Sequence, residues 1–291
     1  MPEPIHVALG IHDPSGNYSC HAGAMLASLF LTARSPICAH VVHNETLTHE
    51  NKRRLAAIGQ RFGKEIRFHP VQLPVAVCSL GGHVTQGALF RLLLPELVVA
   101  AKIIYFDCDI IVNLDIGRLW ELDLQDRPIA AVLDPGIPTF PDKILQRIQN
   151  TGVSLLAYFN SGVVVLNLDC LRRNYQLFNQ ATAYLKRWPE LVFPDQDALN
   201  WLFQQNYLQL DSRFNKIVSR SGVEELRQPA IWHFAGVKPW EYYDSPLDML
   251  YWQALALTPW QDKLFEGLAK AIDTSFGKLF EQINKDKPVA K

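Results

Sequence analysis

The chain has no C-x-x-C pair, no basic excess and no apolar run of membrane-spanning length. Each absence removes a class of protein. Its five cysteines, Cys20, Cys38, Cys78, Cys108 and Cys170, stand far apart. An odd, scattered set argues against a disulfide framework and against a cysteine zinc site, and buried reduced thiols are expected. Lys and Arg total 28 against 29 Asp and Glu, which disfavours a nucleic-acid partner. No uninterrupted apolar stretch approaches the ~20 residues of a membrane span. The first residues, Met1-Pro2-Glu3-Pro4, carry neither the basic region nor the apolar run of a signal peptide, so a cytoplasmic location is expected. With 48 % hydrophobic residues and a formal net charge of -1 over 291 residues, disorder is excluded. The length allows one large domain with a helical annex.

Strand-like and helix-like segments alternate through the first two-thirds. Ile5 to Gly10, Ile37 to His43, Ile66 to Phe68, Lys102 to Phe106, Ile129 to Leu133 and Val163 to Leu168 read as strands. Tyr18 to Ala33 has helical spacing, with Met25, Leu26, Leu29 and Phe30 on one face. Thr48 to Phe62 is a second helix, with Thr48 as N-cap and Asn51 as its box partner. Alternation of this kind predicts an α/β fold with a mostly parallel sheet. The glycine-rich loop Leu73 to Gly87 is expected to act as a lid. The proline-rich stretch Asp134 to Asp142 is expected to lack regular structure. Near the end, Phe265, Leu268, Ile272, Phe276, Leu279 and Ile283 recur at steps of three or four. They form one face of an amphipathic helix. Its charge is nearly balanced, which favours packing on the domain or on a partner subunit over a membrane surface.

Five short segments carry chemistry. After the apolar strand Lys102 to Phe106 come Asp107-Cys108-Asp109. Ligands bind at the C-terminal edge of parallel strands, and two carboxylates there can share a hard divalent cation such as Mg²⁺ or Mn²⁺. Alternatively one carboxylate binds metal and the other a ribose, or both are solvated turn residues. His233, after Ala230-Ile231-Trp232, is either a satisfied core histidine or a third metal ligand. Gly236 lets backbone approach a ligand, and Lys238 suits a phosphate. Such a set fits a diphosphate leaving group. Asn160-Ser161-Gly162 opens an apolar run and reads as a turn. Pro194 and Asp195 read as a helix start, and Asp197 as a first-turn acid facing the helix dipole. Arg91 is a surface charge or a partner for a carboxylate or phosphate.

Taken together and in order, these segments resemble glycosyltransferase family 8. The matching residues are Arg91-Leu92-x-Leu94-Pro95-Glu96, Tyr105-Phe106-Asp107-Cys108-Asp109 and Phe159-Asn160-Ser161-Gly162. Asp195-Gln196-Asp197-x-x-Asn200 and His233-Phe234-x-Gly236-x-Lys238-Pro239-Trp240 complete the set. The resemblance spans about residues 5 to 240, and the bacterial lipopolysaccharide galactosyl- and glucosyltransferase branch is similar in size and layout. It implies an α/β fold of GT-A type, a single Rossmann-like nucleotide-sugar-binding domain over 1–258 with an amphipathic helical tail over 259–291. It implies a retaining enzyme that moves a hexose from a UDP-sugar to a saccharide, lipopolysaccharide or other glycolipid acceptor.

The implied roles follow residue by residue. Asp107, Asp109 and His233 would bind Mn²⁺, with Mg²⁺ as the alternative ion. Gly236 and Lys238 would contact the diphosphate, and Arg91 would help hold the donor sugar. Asn160 and Ser161 would reach the sugar side, and Asp195 its hydroxyls. Gln196 would lie beneath the anomeric carbon. The first strand and its loop, Ala8 to Asn17, would cradle uridine, with Asp13 as the base or ribose contact. Asp134 would lie near the acceptor. Related bacterial enzymes attach to the inner membrane through their tails, so peripheral contact at the inner face is the alternative role for the terminal helix. The first loop is longer than the family's compact form, and the segment from His233 to Lys238 is one residue short. Two other classes compete. A haloacid-dehalogenase-type phosphatase also places D-x-D after a strand, but wants it near the N-terminus and followed by Gly-Thr. A non-catalytic nucleotide-sugar-binding protein of the same fold would be free to lose the metal ligands present here.

Overall fold

The computed structural model describes residues 3–74, 77, 86–218, 228–243 and 245–285. Most of the loop expected to act as a lid lies outside these residues. Seven strands form the main sheet: β1 (Ile5–Ile11), β2 (Ile37–His43), β3 (Glu65–Pro70), β4 (Lys102–Phe106), β6 (Ile129–Leu133), β7 (Phe159–Asn167) and β8 (Tyr207–Gln209). Their order is β3-β2-β1-β4-β7-β6-β8. Every residue of β1 and β2 is buried. Both faces of the sheet are covered by apolar clusters, which is why these strands read as continuous apolar runs. Four neighbouring pairs are parallel. A second sheet of β5 (Ile110–Val112), β9 (Lys216–Ile217) and β10 (Ile231–His233), in the order β5-β10-β9, was not expected.

β7 departs from the parallel expectation. It runs antiparallel between β4 and β6 and starts at Phe159, so Asn160, Ser161 and Gly162 are strand residues and not a turn. The reversed direction has a consequence for the site. The N-terminal end of β7 lies beside the C-terminal end of β4, and the Asp107 backbone N–H donates to the Gly162 carbonyl at 2.9 Å. The proline-rich stretch after β6 contains one short 3-10 turn, Ile137–Thr139.

Helix α1 (Ser19–Thr32) is buried on nearly all sides, beyond the single face its apolar spacing suggested. Helix α2 (His49–Phe62) starts as expected, with Thr48 Oγ1 accepting from the Asn51 N–H at 3.1 Å. It ends at Gly63, whose φ of 62° needs glycine. The Asn51 amide does not complete a capping box; it donates to Asp13 Oδ2 and to the Gly16 carbonyl. Helix α3 (Pro194–Phe203) carries Asp195, Gln196 and Asp197, and α4 (Asp248–Ala256) packs on α1 and β5. The last helix, α5 (Asp262–Lys285), also packs on α4. The Tyr243 N–H donates to its Ser275 Oγ at 2.9 Å, and Ala271 is buried. Trp260, just before α5, is fully buried against Gly23 of α1, and Arg54 lies over its ring at 5.7 Å. Among the described residues no helix is long and apolar enough to cross a membrane.

Two expectations follow from this packing. Trp260→Ala leaves a cavity in the main core and lowers unfolding free energy by about 3–5 kcal/mol, read from denaturant midpoints. An unchanged midpoint would mean the segment from Trp260 onward is a separate tail. The second concerns Asp197. Its Oδ1 accepts from the Tyr158 hydroxyl at 2.6 Å and its Oδ2 from the Phe193 N–H at 3.2 Å. Burial pushes its carboxyl up to about 7, against the pull of those two bonds. The unfolded chain releases this proton near pH ~4. Between about pH 4 and 7 the folded state binds more protons, so Asp197 makes stability fall as pH rises through that window. Asp197→Asn should remove this part of the slope, measured as the change in unfolding free energy from pH 5 to 8.

Candidate active site

Asp107 follows the last residue of β4, and Asp109 precedes the first of β5. The two carboxylates therefore stand where the main sheet passes into the small one. His233 ends β10 and is the register partner of Ile110. The next residue closes the junction, the Phe234 N–H donating to the Asp109 carbonyl at 2.9 Å. The ligand atoms of Asp107, Asp109 and His233 all lie within 4.8 Å of one another. His233 Nε2 is 3.3 Å from Asp109 Oδ1. That oxygen is buried and has no hydrogen-bond partner among the described residues.

The imidazole is held from behind. Its Nδ1 is 2.9 Å from Asn215 Oδ1, and Asn215 Nδ2 donates to Asn160 Oδ1 at 2.8 Å. Asn160 Oδ1 also accepts from the Gly162 N–H, which fixes the orientation of both amides. Nδ1 therefore carries the proton, and the Nε2 lone pair faces the carboxylates. Gly162 is required here, because a Cβ would come 2.2 Å from His233 Cε1. Two carboxylates, an imidazole nitrogen presented unprotonated and an orphaned buried oxygen fit a hard divalent cation.

Arg91 is not a surface charge. It is 2 % exposed and makes five contacts with the protein. Nη2 donates to Asp107 Oδ1 at 2.6 Å, Nη1 to the Ser161 carbonyl at 2.5 Å and Nε to the Ala88 carbonyl at 2.9 Å. Nε also lies 3.3 Å from Asp195 Oδ2, and the guanidinium covers the Tyr105 ring at 4.2 Å. Burial works against its charge, but Asp107 and Asp195 outweigh it and keep the group ionised. Burial raises Asp107 to about 6; Arg91 opposes the rise and Asp109 adds to it. Burial also works against charge on Asp109, but the Lys238 ammonium bonded to it holds its carboxyl below the usual range. Lys238 Nζ donates to Asp109 Oδ2 at 2.5 Å and to the Phe234 carbonyl at 2.6 Å.

Asp195 does not cap its own helix. Phe193 is the N-cap of α3, and the Asp195 carboxylate accepts from Ser161 Oγ at 2.9 Å. Gln196 is fixed at both ends: its Oε1 accepts from the Ser161 N–H and its Nε2 donates to Asp134 Oδ2, each at 2.9 Å. Asp134 Oδ2 also accepts from Asn160 Nδ2 at 3.0 Å. A cleft of about 540 Å³ gathers these groups. Arg91, Asp107, Asp109, Asp134, Asn160, Ser161, Asp195, Gln196, His233 and Gly236 all line it. Phe140 and Phe193, stacked with centroids 5.0 Å apart, give it an apolar wall next to Asp134 and Gly136.

Three expected residues lie elsewhere. Ala8 is fully buried in the core face of β1 and does not line the cleft; Gly10 and Tyr18 are the lining residues from that end of the chain. Asp13 is 1 % exposed, and its carboxylate is already taken by the Tyr18 and Ser19 N–H groups, Ser19 Oγ and Asn51 Nδ2. It organises the start of α1. The long first loop brings the aspartate back onto the helix end, where its carboxylate is bonded within the protein. Lys238 does not itself line the cleft, but its Nζ is bonded to the lining residue Asp109. Tyr105, whose hydroxyl donates to Asp107 Oδ1 at 3.2 Å, and Asn215 were missed. Tyr105 read as one more apolar strand residue. Asn215 carries no sequence signal, because its neighbour His233 is brought to it only by the small sheet.

The geometry is that of an α/β enzyme with its polar cleft where the main sheet meets the small one, and comparison with known proteins agrees. The family model "Glycosyl transferase family 8" matches residues 8–244. The chain belongs to this family and is a glycosyltransferase. General stress protein A of Bacillus subtilis is 28 % identical over 270 residues, covering 84 % of this chain and 91 % of that one. Lipopolysaccharide 1,3-galactosyltransferase of Salmonella typhimurium is 24 % identical over 277 residues, covering 89 % and 80 %. Among solved structures, galactosyltransferase LgtC in complex with donor and acceptor sugar analogs superposes with a TM-score of 0.73 at 24 % identity. That match covers 90 % of this chain and 100 % of the other. The shared architecture is the single Rossmann-like GT-A fold with a mostly parallel sheet and a C-terminal helical extension.

Proposed function

We propose that this glycosyltransferase is a retaining hexosyltransferase. It would move galactose or glucose from a UDP-sugar to a saccharide or glycolipid acceptor, with Mn²⁺ or Mg²⁺ as cofactor. The observation that carries the reading is the convergence on one cleft of the Asp107–Asp109–His233 cluster and the hydrogen-bonded group Gln196–Asp134–Asn160. The relative named as a lipopolysaccharide galactosyltransferase supports the acceptor class. The proposal includes a cytoplasmic location, with α5 and its exposed Phe265 as the element that would touch the inner membrane face.

Asp107, Asp109 and His233 hold the cation, which when bound neutralises the charge that builds on a diphosphate leaving group. Gly236 lines the cleft without a side chain, so backbone can approach the phosphates. Lys238 exchanges Asp109 for a phosphate oxygen and ceases to act as the resident counter-charge. Each of the three Arg91 nitrogens already donates to the protein. Its part is to hold Asp107 and Asp195 in place, leaving sugar hydroxyls to Asp195 and Asn160. Gln196 is neutral, and its Oε1 already accepts from Ser161, so it is a poor nucleophile. Same-face attack is favoured over a covalent adduct: the acceptor hydroxyl bonds to the anomeric carbon and passes its proton to the departing phosphate. Asp134 and the Phe140–Phe193 wall receive the acceptor.

Calorimetric titration of UDP should show binding in Mn²⁺ that excess chelator abolishes, and Asp109→Ala should lose it in both conditions. UDP binding of equal strength with and without metal would sink the cation assignment. Gln196→Ala should lower kcat by about tenfold or more while donor affinity changes little. Equal losses in both would make Gln196 a binding residue only.

A further inference from the structure

A second cluster of ligating side chains lies at the opposite end of β1 from the cleft. His6 and Cys38 are register partners on β1 and β2, and His40 is the next residue on the same face of β2. His6 Nδ1 is 3.0 Å from His40 Nε2, and Cys38 Sγ is 3.6 Å from the same nitrogen. All three ligand atoms lie within 4.8 Å of one another, and all three residues are buried, His6 at 8 % exposure being the nearest to solvent.

We propose that His6, Cys38 and His40 form a second metal site, for zinc or a similar borderline-soft transition-metal ion. Two nitrogens and one sulfur are soft donors, in contrast to the carboxylate-dominated cleft. Ordinary bond lengths about a tetrahedral zinc place ligands roughly 3.3 Å apart for a nitrogen pair and roughly 3.6 Å for nitrogen and sulfur. The His6–His40 and Cys38–His40 separations need only a few tenths of an ångström of adjustment. The outer partner is in place as well. His40 Nδ1 is 2.9 Å from His69 Nε2 on β3. A proton on His40 Nδ1, donated to His69, leaves Nε2 free to ligate. Burial lowers the basicity of all three histidines, His40 to about 3, so neutral imidazoles are available at ordinary pH. Burial pushes the Cys38 thiol up to about 11, so ligation releases its proton. Glu65, the register partner of Cys38, has both carboxylate oxygens bonded to Arg67, so the fourth position is left to water. The ion would pin β1 to β2, and this assignment is independent of the glycosyl-transfer chemistry.

The test uses the full chain, stripped of metal and held in excess Mg²⁺ to occupy the cleft carboxylates. Co²⁺ titration should give a sulfur-to-cobalt charge-transfer band saturating at one equivalent. The band should vanish in Cys38→Ser and in His6→Gln and persist in Asp109→Ala. It should also persist in Cys20→Ser, which tests the other thiol–imidazole pair, Cys20 with His21 at 3.7 Å. Zinc affinity should fall more than tenfold in His6→Gln, a near-surface change that remains informative if Cys38→Ser does not fold. Absence of the band in the unaltered protein overturns the proposal. So does a band that survives Cys38→Ser or His6→Gln, or one lost in Cys20→Ser.

Discussion

A guanidinium with almost no exposure stands in the wall of the cleft, and the rest of the site is arranged around it. Removing an arginine from water costs several kcal/mol unless its charge is answered and its nitrogens are hydrogen-bonded. Here two carboxylates answer the charge and each nitrogen has a partner. Arg91 meets carboxylates from the end of β4 and the start of α3, a carbonyl from β7 and one from its own short helical turn. Without it, the buried Asp195 and the half-buried Asp107 would be neighbouring anions with no cation from the protein between them. With it, three separate elements are tied at the level where β4 gives way to the two aspartates. The aromatic face of Tyr105 beneath the guanidinium closes the remaining side.

Behind this charge cluster runs a set of neutral hydrogen bonds with a different task. Asn215, Asn160 and the Gly162 N–H determine which imidazole nitrogen of His233 is free, while Ser161 and Asp134 determine where Gln196 points. Asn215, Asn160 and Gln196 each have a donor and an acceptor contact that admit only one amide orientation. Space is controlled as tightly: Gly162 leaves room for the imidazole ring and for nothing larger. Gly10 similarly lets the end of β1 approach the Gly87 carbonyl, where a Cβ would come within 2.3 Å.

Much of this was legible in the residues. β1, β2, β4 and β6 were found as apolar runs because both faces of the sheet are covered, and Thr48 was found because capping is local chemistry. The two aspartates after β4 and the histidine after Trp232 were visible as motif residues, and the structure brings them together. What escaped depended on partners distant in the chain. The strand character of Asn160 to Gly162 follows from the antiparallel direction of β7, which three small polar residues do not announce. Strands of two and three residues in the small sheet carry too little pattern to be read. Asp13 looked free because nothing in its neighbourhood shows the loop curling back onto α1. The scattered cysteines suggested no metal site, and only the register of β1 against β2 sets Cys38 beside two histidines.

The small sheet has one further consequence, for the order in which the molecule matures. Its strands are drawn from segments near 110, 216 and 231, and the cleft needs residues from Arg91 to Gly236. Contacts so distant along the chain close late, after local helices and the β1–β2 pair. A ribosome must have released nearly the whole domain before His233 can meet Asp109. Until then the emerging chain holds a growing sheet but no assembled centre, and competence arrives with β10 rather than building up strand by strand.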